Sequence, residues 1–353
     1  MTMSNKEKDY FNELEWIQKN TQDLYLPHKD YIQSSENVLD FNKNLSFESK
    51  QEIFFKSPLN FVMSHVVPSN KKAKFIGNFR LEINSKYKLR DILYSLDIEI
   101  GGNTINKIYP EGFDSVFMCQ NSKNRSIDKI DKKVYFLPGI RYLQLKDYYE
   151  TRFWIKFKNF QDSDVKLIYD YYNNSVPKIK TTPNDDDPIY NYLLIPYYQT
   201  YFHGNDKLDH NEPRFYTRLS FNGVILYLNI ELYDSKTKNY SKILSKQFEE
   251  IILEINGRIV IIDKNLLKYF EEKYGNGIIP LTKFLDFKNR IGGISLNNNW
   301  GSITLVKSTK SENKNEIFDT VKIFGAGYNF MKNASTEYHY KMRNLNKYNF
   351  IAY

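Results

Sequence analysis

The chain has 353 residues, of which 41% are apolar and 26% charged, and its formal net charge is +8 at pH 7. This composition excludes a disordered chain, which would combine low hydrophobicity with a high net charge. The length predicts two domains of ordinary size, each able to bury a core of its own. Lysine and arginine are interspersed with aspartate and glutamate, so the charge allows an anionic neighbour without identifying one.

The single cysteine, Cys119, excludes an intrachain disulfide and a cysteine metal cage. The first residues contain no apolar core of a signal peptide, and the chain has no run of about 20 uncharged apolar residues that would predict a membrane span. We therefore expect a soluble protein made in a reducing compartment. The 29 tyrosines and 25 phenylalanines favour strands.

Residues 1–40 are predicted to form a polar N-terminal arm with one short helix, because Phe11, Leu14 and Ile17 fall at helical spacing, with Trp16 beside them. Two interpretations of this helix stay open. It packs on its own domain, or the arm docks on a neighbouring subunit or on a surface beneath.

Residues 41–175 are predicted to form a first β domain, since short strands at close spacing favour a sandwich or barrel over βαβ units. In the segment 152–157, Phe153, Ile155 and Phe157 share one face, which indicates a sheet with one buried side. We expect a short helix at 114–117 and a charged loop at 121–133. The predicted strands are 44–47, 51–55, 74–84, 93–100, 104–108, 134–136, 142–146, 152–158 and 165–171.

Residues 176–190 are predicted to be a linker containing three prolines. Its run Asp185-Asp186-Asp187 could bind Ca²⁺, but the alternating spacing of an EF-hand loop is absent, and a solvated linker is the favoured interpretation.

Residues 191–345 are predicted to form a second β domain, followed by a C-terminal tail at 346–353. A short helix is expected at 266–274, ahead of Gly275. The predicted strands are 192–195, 197–202, 214–221, 224–232, 251–255, 258–262, 278–281, 283–287, 294–296, 302–306 and 320–328.

A strand followed by a glycine turn occurs in both halves of the chain. Leu96-Asp97-Ile98-Glu99-Ile100-Gly101-Gly102 in the first half has its counterpart in Ile251-Ile252-Leu253-Glu254-Ile255-Asn256-Gly257 in the second. Two copies half a chain apart indicate similar β domains in tandem. The fold class is therefore predicted to be all-β: two tandem eight-stranded antiparallel jelly rolls, with short helices in loops.

Five segments resemble the double jelly-roll major capsid proteins of large nucleocytoplasmic-type DNA viruses, and they span roughly residues 75–335 in the family's order. They are 91–107, where Asn106 replaces the usual Asp, and 136–145, 219–224, 292–297 and 321–331. The resemblance implies a viral capsid structural protein that self-assembles into pseudo-hexagonal homotrimeric capsomers, which tile an icosahedral shell. It also implies the virion as location, synthesis in the host cytoplasm, and as partners neighbouring capsomers, minor capsid proteins, and an inner membrane or the genome on the inner face.

No motif in the sequence points to catalysis, and we expect no catalytic, cofactor-binding or metal-binding residue, no cofactor and no small-molecule substrate. His28, His65, His203, His210 and His339 show no zinc-binding spacing. His203, His210, Asp206 and Asp209 could form a metal or acid–base cluster, but a polar loop between strands is the strongly favoured interpretation of this segment. Cys119 is expected to be a buried thiol. Glu99 and Glu254 could be considered as a glycosidase pair, but their equivalent places in the two repeats put them in separate domains, which argues against it. Gly325-Ala326-Gly327 lacks the third glycine of a dinucleotide motif, and a bend in the closing strand is the favoured interpretation.

The lysine clusters 71–74 and 307–314 could touch nucleic acid or lipid head groups, although solvated hairpin loops, which need no partner, are the favoured interpretation. Three alternatives to a capsid subunit stay open. They are a minor capsid or scaffolding protein of the same fold, a tandem β-sandwich module that binds carbohydrate or a receptor, and a β-sandwich hydrolase, which lacks a catalytic constellation.

Overall fold

The computed structural model describes residues 5–21, 46–55, 62–70, 72–73, 75–84, 86–111, 126–129, 131–137, 142–144, 150–158, 165–173, 192–209, 211–221, 223–283, 293–296, 300–308, 318–334 and 350–351. The helices are α1 (Asn5–Thr21), α2 (Leu89–Ile92), α3 (Leu244–Gln247) and α4 (Lys264–Tyr274). The strands of the first half are β1 (Ser46–Phe55), β2 (Val62–Val66), β3 (Phe75–Asn84), β4 (Leu93–Ile100), β5 (Asn103–Ile108), β6 (Ser126–Lys129), β7 (Lys132–Phe136), β8 (Tyr142–Gln144), β9 (Thr151–Phe157) and β10 (Val165–Asn173). Those of the second half are β11 (Tyr192–Lys207), β12 (Arg214–Arg218), β13 (Val224–Tyr233), β14 (Tyr240–Ser241), β15 (Phe248–Ile255), β16 (Arg258–Asp263), β17 (Ile278–Pro280), β18 (Ile294–Ser295), β19 (Gly301–Lys307), β20 (Thr320–Ala334) and β21 (Phe350–Ile351).

These strands form four antiparallel sheets, two in each half of the chain. Sheet 1 has the order β1-β10-β3-β7-β6, with β8 also on β3, and sheet 2 has the order β2-β9-β4-β5. Sheet 3 runs β11-β20-β13-β14, with β17 and β18 also on β13 and β21 on β20, and sheet 4 runs β12-β19-β15-β16. The two pairs of sheets repeat one topology, so the predicted fold class, a double jelly roll, is confirmed.

Each jelly roll has its own apolar core between its two sheets, because alternate residues of each strand point inward. In β9, Phe153, Ile155 and Phe157 are buried on one face, as the alternation predicts. The core of the first jelly roll also contains Leu81 and Tyr169. A separate core, to which Ile251 belongs, fills the second jelly roll.

The repeated glycine turns close equivalent hairpins. Gly101 and Gly102 join β4 to β5 with φ of 58° and 84°, and Asn256 and Gly257 join β15 to β16 with φ of 50° and 79°. These left-handed conformations favour glycine and asparagine, which explains why the same local sequence occurs twice.

Helix α1 packs on the second jelly roll of its own chain. Its apolar stripe, which consists of Tyr10, Phe11, Leu14 and Ile17, is at most 3% exposed and is part of the second core. Of the two interpretations that the sequence leaves open, the structure shows packing within the chain. The helix packs on the second jelly roll, whose residues lie far from it in the sequence. The division of the chain at residues 40, 175, 190 and 345 stays a prediction, and the linker 176–190 lies outside the described residues.

Several strand predictions need correction. The predicted pairs 44–47 with 51–55, and 192–195 with 197–202, are single strands, β1 and β11. Pro196 does not interrupt β11, because β11 is an edge strand and a proline there removes no ladder hydrogen bond that the sheet requires. The predicted charged loop 121–133 contains β6, and β2 was not predicted. The predicted helix 114–117 and all but the first residue of the predicted strand 283–287 lie outside the described residues.

Candidate functional site

The two jelly rolls meet where β5 of the first lies against β11 of the second. Tyr109, which follows β5, places its ring 4.9 Å from that of Phe202 and 6.2 Å from that of Phe324, and these two phenylalanine rings stack at 4.8 Å. Burial raises the pKa of the Tyr109 phenol. Such aromatic groups contribute about 0.5–1.5 kcal/mol per pair beyond their area, so this cluster is the apolar part of the joint.

A group of buried charges lies beside these rings. The Arg90 guanidinium of α2 donates to the Glu231 carboxylate of β13 at 2.8 Å, and Glu231 is fully buried. Lys242 approaches the same carboxylate at 3.6 Å, and Lys322 of β20 lies 3.4 Å from Glu111 of the first jelly roll. Because a buried charge is tolerated only when it is paired, each jelly roll supplies the counter-ion that the other needs.

Two tyrosines border this ionic group. The Tyr240 ring lies 5.1 Å from both the Arg90 guanidinium and the Lys322 ammonium, and it packs on the Tyr233 ring at 4.8 Å. Burial lowers the pKa of nearby Lys158, whose ammonium donates to the backbone carbonyl of Arg90.

The first jelly roll carries an equivalent charge pair on sheet 1. Glu82 faces Lys166 across β3 and β10, as Glu231 faces Lys322 across β13 and β20. The Lys166 ammonium lies 3.6 Å from Glu82 and 3.5 Å from Glu52. The outer faces of sheets 1 and 3 therefore have the same design, but only that of sheet 3 receives the Arg90 and Glu111 side chains from the other jelly roll.

The outer faces of sheets 2 and 4 differ in character. On sheet 2, Lys156 pairs with Asp97 at 2.8 Å, and the Trp154 indole donates to Glu99 at 2.8 Å. On sheet 4, the equivalent cross-strand row is uncharged and carries only two hydroxyl groups. Its members, in register, are Ile261, Ile252, Thr304 and Tyr216. Along this row, sheet 4 is thus less polar than sheet 2.

Exposed apolar side chains lie on two edge strands, β16 of sheet 4 and β1 of sheet 1. Ile259 and Ile261 on β16 are 57% and 56% exposed, and Phe47 and Phe54 on β1 are 60% and 55% exposed. Such side chains are the usual anchors of protein interfaces when they form a patch.

Helix α1 is fastened to the edge at β16 by polar contacts as well as by its apolar stripe. The Tyr10 hydroxyl donates to the Pro280 carbonyl at 2.6 Å. The buried Glu7 accepts from the Lys273 ammonium at 2.9 Å; burial opposes protonation of Lys273, but its hydrogen bonds to Tyr269 and Glu7 outweigh that and raise its pKa. Trp16, which is 45% exposed, lies under the guanidinium of Arg258 on β16, which is 3.7 Å from the centre of its ring.

The histidines within the described residues have structural partners. His65 shares a hydrogen bond with the Tyr169 hydroxyl at 2.9 Å, and burial lowers its pKa. His203 contacts Asp206 at 3.2 Å, together with Ser220 and Thr217. His28, His210 and His339 lie outside the described residues, as do Cys119 and the segment Asp185-Asp186-Asp187.

The other residues that the sequence suggested for chemistry are far apart or occupied. Glu99 on β4 and Glu254 on β15 belong to different jelly rolls, as expected, and so do not form a carboxylate pair. Two lysines of the two lysine clusters can be described. Lys307 donates to the Asp209 carbonyl, and Lys72 lies on an exposed turn. Lys71, Lys74 and residues 309–314 lie outside the described residues.

Gly325 and Gly327 pack closely against β13 beside a β-bulge between Ile225 and Tyr227.

Among the described residues, no group of three or more His, Cys, Asp or Glu side chains could hold a metal ion. A search of the same residues finds no helix with the length and hydropathy that crossing a membrane requires.

The joint residues Arg90, Tyr109, Glu231 and Lys322 were missed by the sequence analysis. A signal for part of the joint exists, because Val165-Lys166-Leu167 and Val321-Lys322-Ile323 begin the closing strands of the two jelly rolls at equivalent positions. Comparing the two halves strand by strand would have found the repeated lysine, and the glutamate opposite it.

Comparison with solved structures places this fold among viral proteins. VP54 of PBCV-1, fitted into a cryo-EM reconstruction of the virophage Sputnik, matches with a TM-score of 0.58 and 12% identity, over 82% of this chain and 96% of that chain. A quasi-atomic structure of the PBCV-1 virus capsid matches with a TM-score of 0.52 and 12% identity, over the same shares. A chain of Sulfolobus Turreted Icosahedral Virus matches with a TM-score of 0.51 and 11% identity, over 79% of this chain and 90% of that one.

A scan against protein-family models and a search of curated proteins both find no match. At 11–12% identity the structural matches show a common fold. The resemblance noted in the sequence is confirmed at that level.

Proposed function

We propose that this chain is a structural subunit of a viral capsid. The observation that carries the proposal is the pairing of two similar jelly rolls in one chain, held side by side by a buried joint, in a fold shared along most of its length with proteins of PBCV-1 and Sulfolobus Turreted Icosahedral Virus. A side-by-side pair of similar units is a building block for a ring, since each unit presents related surfaces to its neighbours.

In this proposal three chains form a homotrimer, whose six jelly rolls make a pseudo-hexagonal capsomer. Capsomers contact one another and minor capsid proteins to tile an icosahedral shell in the virion, with an inner membrane or the genome on the inner face. The subunit is made in the host cytoplasm. Its role is assembly and requires no catalysis, cofactor or small-molecule substrate.

Light scattering after gel filtration tests the first step. A trimer has three times the subunit mass of 42.1 kDa, and negative-stain images of it should show hexagonal outlines. A monomer over the full range of accessible concentrations, with no hexagonal particles, would contradict the trimeric capsomer. That result would favour a minor capsid role or a binding module, and a glycan screen would then be the next measurement.

A further inference from the structure

The outer face of sheet 4 carries opposite charges on two strands that are not neighbours. Arg214 and Arg218 lie on β12 and are exposed, and they form the arginine stripe. Glu250 and Glu254 lie on β15 and are half-buried, and they form the glutamate stripe. Strand β19 runs between β12 and β15. Since neighbouring strands are about 4.8 Å apart, the two stripes lie about 10 Å from each other.

The strand registers align the two stripes row by row. Val306 of β19 pairs with the first residue of each stripe, and Ser302 pairs with the second. Both β12 and β15 are antiparallel to β19, so they run in the same direction. Paired residues share one face of a sheet, and the residues that alternate with them, such as Ile251 and Leu305, belong to the core. Each arginine therefore has a glutamate across β19 from it, on the face that points away from the core.

In the part of the chain that the structure describes, neither stripe has an ion pair or a side-chain hydrogen bond. The outer face of sheet 2 is different, because its opposite charges lie on neighbouring strands and Lys156 pairs with Asp97 at 2.8 Å. Sheet 4 holds its opposite charges apart. Charges that have no partner in their own chain are available to charges on another molecule.

We propose that the outer face of sheet 4 is a two-fold contact surface, which packs against the same face of a second copy of this chain. Half a turn about an axis that is parallel to β19 and lies between the two faces exchanges the places of β12 and β15. The arginine stripe of each copy then faces the glutamate stripe of the other. The spacing also matches, since 218 − 214 and 254 − 250 are both four positions. The surface is complementary to itself, as a contact between identical patches requires.

The centre of this contact is uncharged. The same rotation places Tyr216 of one copy over Ile252 of the other, and Thr304 over its own counterpart. Tyr216 is 57% exposed, so covering its ring with isoleucine removes apolar surface from water. Facing sheets pack about 10 Å apart, a gap that an arginine and a glutamate side chain can bridge together. Two arginines on each copy thus give four ion pairs, which flank the uncharged centre.

This inference rests on the proposed function for its place in the assembly. In a shell, a two-fold contact joins one capsomer to the next, and it is separate from the contacts that hold three chains together. Four strands give a face about 20 Å wide, so the buried area is at the small end of specific interfaces. Such a contact is weak by itself and becomes strong when many of them act in one assembly.

The experiment reverses the stripes of the full chain, one at a time and together. The arginine variant, Arg214→Glu with Arg218→Glu, makes both stripes negative. The glutamate variant, Glu250→Arg with Glu254→Arg, makes both positive. The exchange variant carries all four substitutions, so its stripes change places and identical copies are complementary again. Circular dichroism melts verify that each variant is folded.

Sedimentation velocity at low ionic strength measures the association step that doubles the mass of the unit present, whether that unit is one chain or a trimer. The arginine and glutamate variants should each raise the concentration needed for this step about tenfold or more, because four attractive pairs become repulsive. An equimolar mixture of these two variants should associate again, and so should the exchange variant. Lys86→Glu with Lys236→Glu, which changes the net charge as the arginine variant does at two exposed positions outside sheet 4, should have no effect.

Thr304 provides a measurement that does not depend on charge. It lies on β19, beside the proposed axis, and therefore faces its own counterpart. Thr304→Cys in a Cys119→Ser background should be linked by a short bismaleimide into pairs of chains. Val62→Cys in the same background is the control, since Val62 is 45% exposed on β2 of the other jelly roll, and it should stay unlinked.

These measurements distinguish the contact from the capsid proposal. Loss of the doubling step in both stripe variants, its return in the mixture and in the exchange variant, and linked pairs of chains would support the contact. A doubling step that is absent, that persists in the stripe variants, or that does not return in the mixture and the exchange variant would overturn it. Trimers in the same samples would then leave the capsid proposal standing. Monomers under all conditions, without linked pairs, would overturn the contact and contradict the trimeric capsomer as well.

Discussion

Gly327 on β20 passes so close to β13 that a Cβ atom at this position would lie 1.7 Å from the carbonyl oxygen of Val224. The pairing of the two strands is irregular here, because a β-bulge in β13 lies between Ile225 and Tyr227. The bulge brings the Val224 carbonyl toward β20 and leaves room for hydrogen alone. The glycine is thus required by close approach across the sheet.

Gly327→Ala should therefore destabilise the second jelly roll strongly, by about 3 kcal/mol or more, since backbone must move to admit the methyl group. Gly325→Ala is the matched control two residues earlier on the same strand. Its Cβ would meet side-chain atoms of Ile225 and Phe221 at 3.3 Å, which can shift. Urea unfolding followed by circular dichroism measures both, and equal losses of stability would contradict the role of the Val224 carbonyl.

Arg90→Ala removes the cation that the first jelly roll supplies to the buried Glu231. Breaking a buried pair in this way costs about 3–5 kcal/mol, and the lower end is expected because Lys242 remains 3.6 Å from the same carboxylate. The double variant Arg90→Ala, Glu231→Gln should recover part of this loss, since it leaves no buried carboxylate that lacks the Arg90 cation. Lys50→Ala breaks a more exposed pair and should change the free energy of unfolding by less than about 1 kcal/mol. A similar loss in all three variants would argue against a special role for the joint.

Phe11→Ala removes a ring that is 1% exposed in the core of the second jelly roll. A cavity of this kind costs about 3–5 kcal/mol. Asn12→Ala, one residue later on the exposed side of the same helix, should change stability by less than about 0.5 kcal/mol. Differential scanning calorimetry should show the transition of the second jelly roll shifting to lower temperature in the first variant only. A shift confined to another transition would contradict the placement of α1.

The stability of the first jelly roll should depend on pH through His65. Burial lowers the pKa of His65, so the folded state binds fewer protons than the unfolded state once the pH falls to the ordinary histidine range near 6.5. The contribution of neutral His65 is present above that range and is lost as the pH falls through the folded pKa. The free energy of unfolding should therefore decrease from pH 7.5 to pH 5 more steeply in the unsubstituted chain than in His65→Gln. Parallel curves for the two proteins would rule out this contribution.

The strands that alternate regularly could be predicted from the sequence. In β9 and in the hairpin of β15 and β16, the inward positions are apolar, and the glycine turns fix the register. Strand β2 could not be found in this way, because its outward residues include Val62 and Val66 while His65 points toward the core and bonds to Tyr169. There the tertiary partner, which a local pattern does not contain, decides the side chain's direction.

The joint between the jelly rolls was missed for the same reason. Arg90 lies on a helix of four residues, and its partner Glu231 is 141 positions away. Within β13, a glutamate between apolar residues looks like an ordinary outward position of a half-buried strand. Only the structure shows that this outward face is covered by the other half of the chain.

The placement of α1 has a consequence for how the chain is made. The helix leaves the ribosome before either jelly roll, and its partners Pro280 and Phe270 are some 260 to 270 residues further along. During synthesis its apolar stripe therefore has no native surface to occupy until most of the second jelly roll has emerged. A fragment that begins after the predicted linker would lack this helix and leave an apolar cleft open. The second jelly roll is thus complete only when α1 and the strands from β11 to β20 are both present, so a product that lacks either cannot supply a finished subunit.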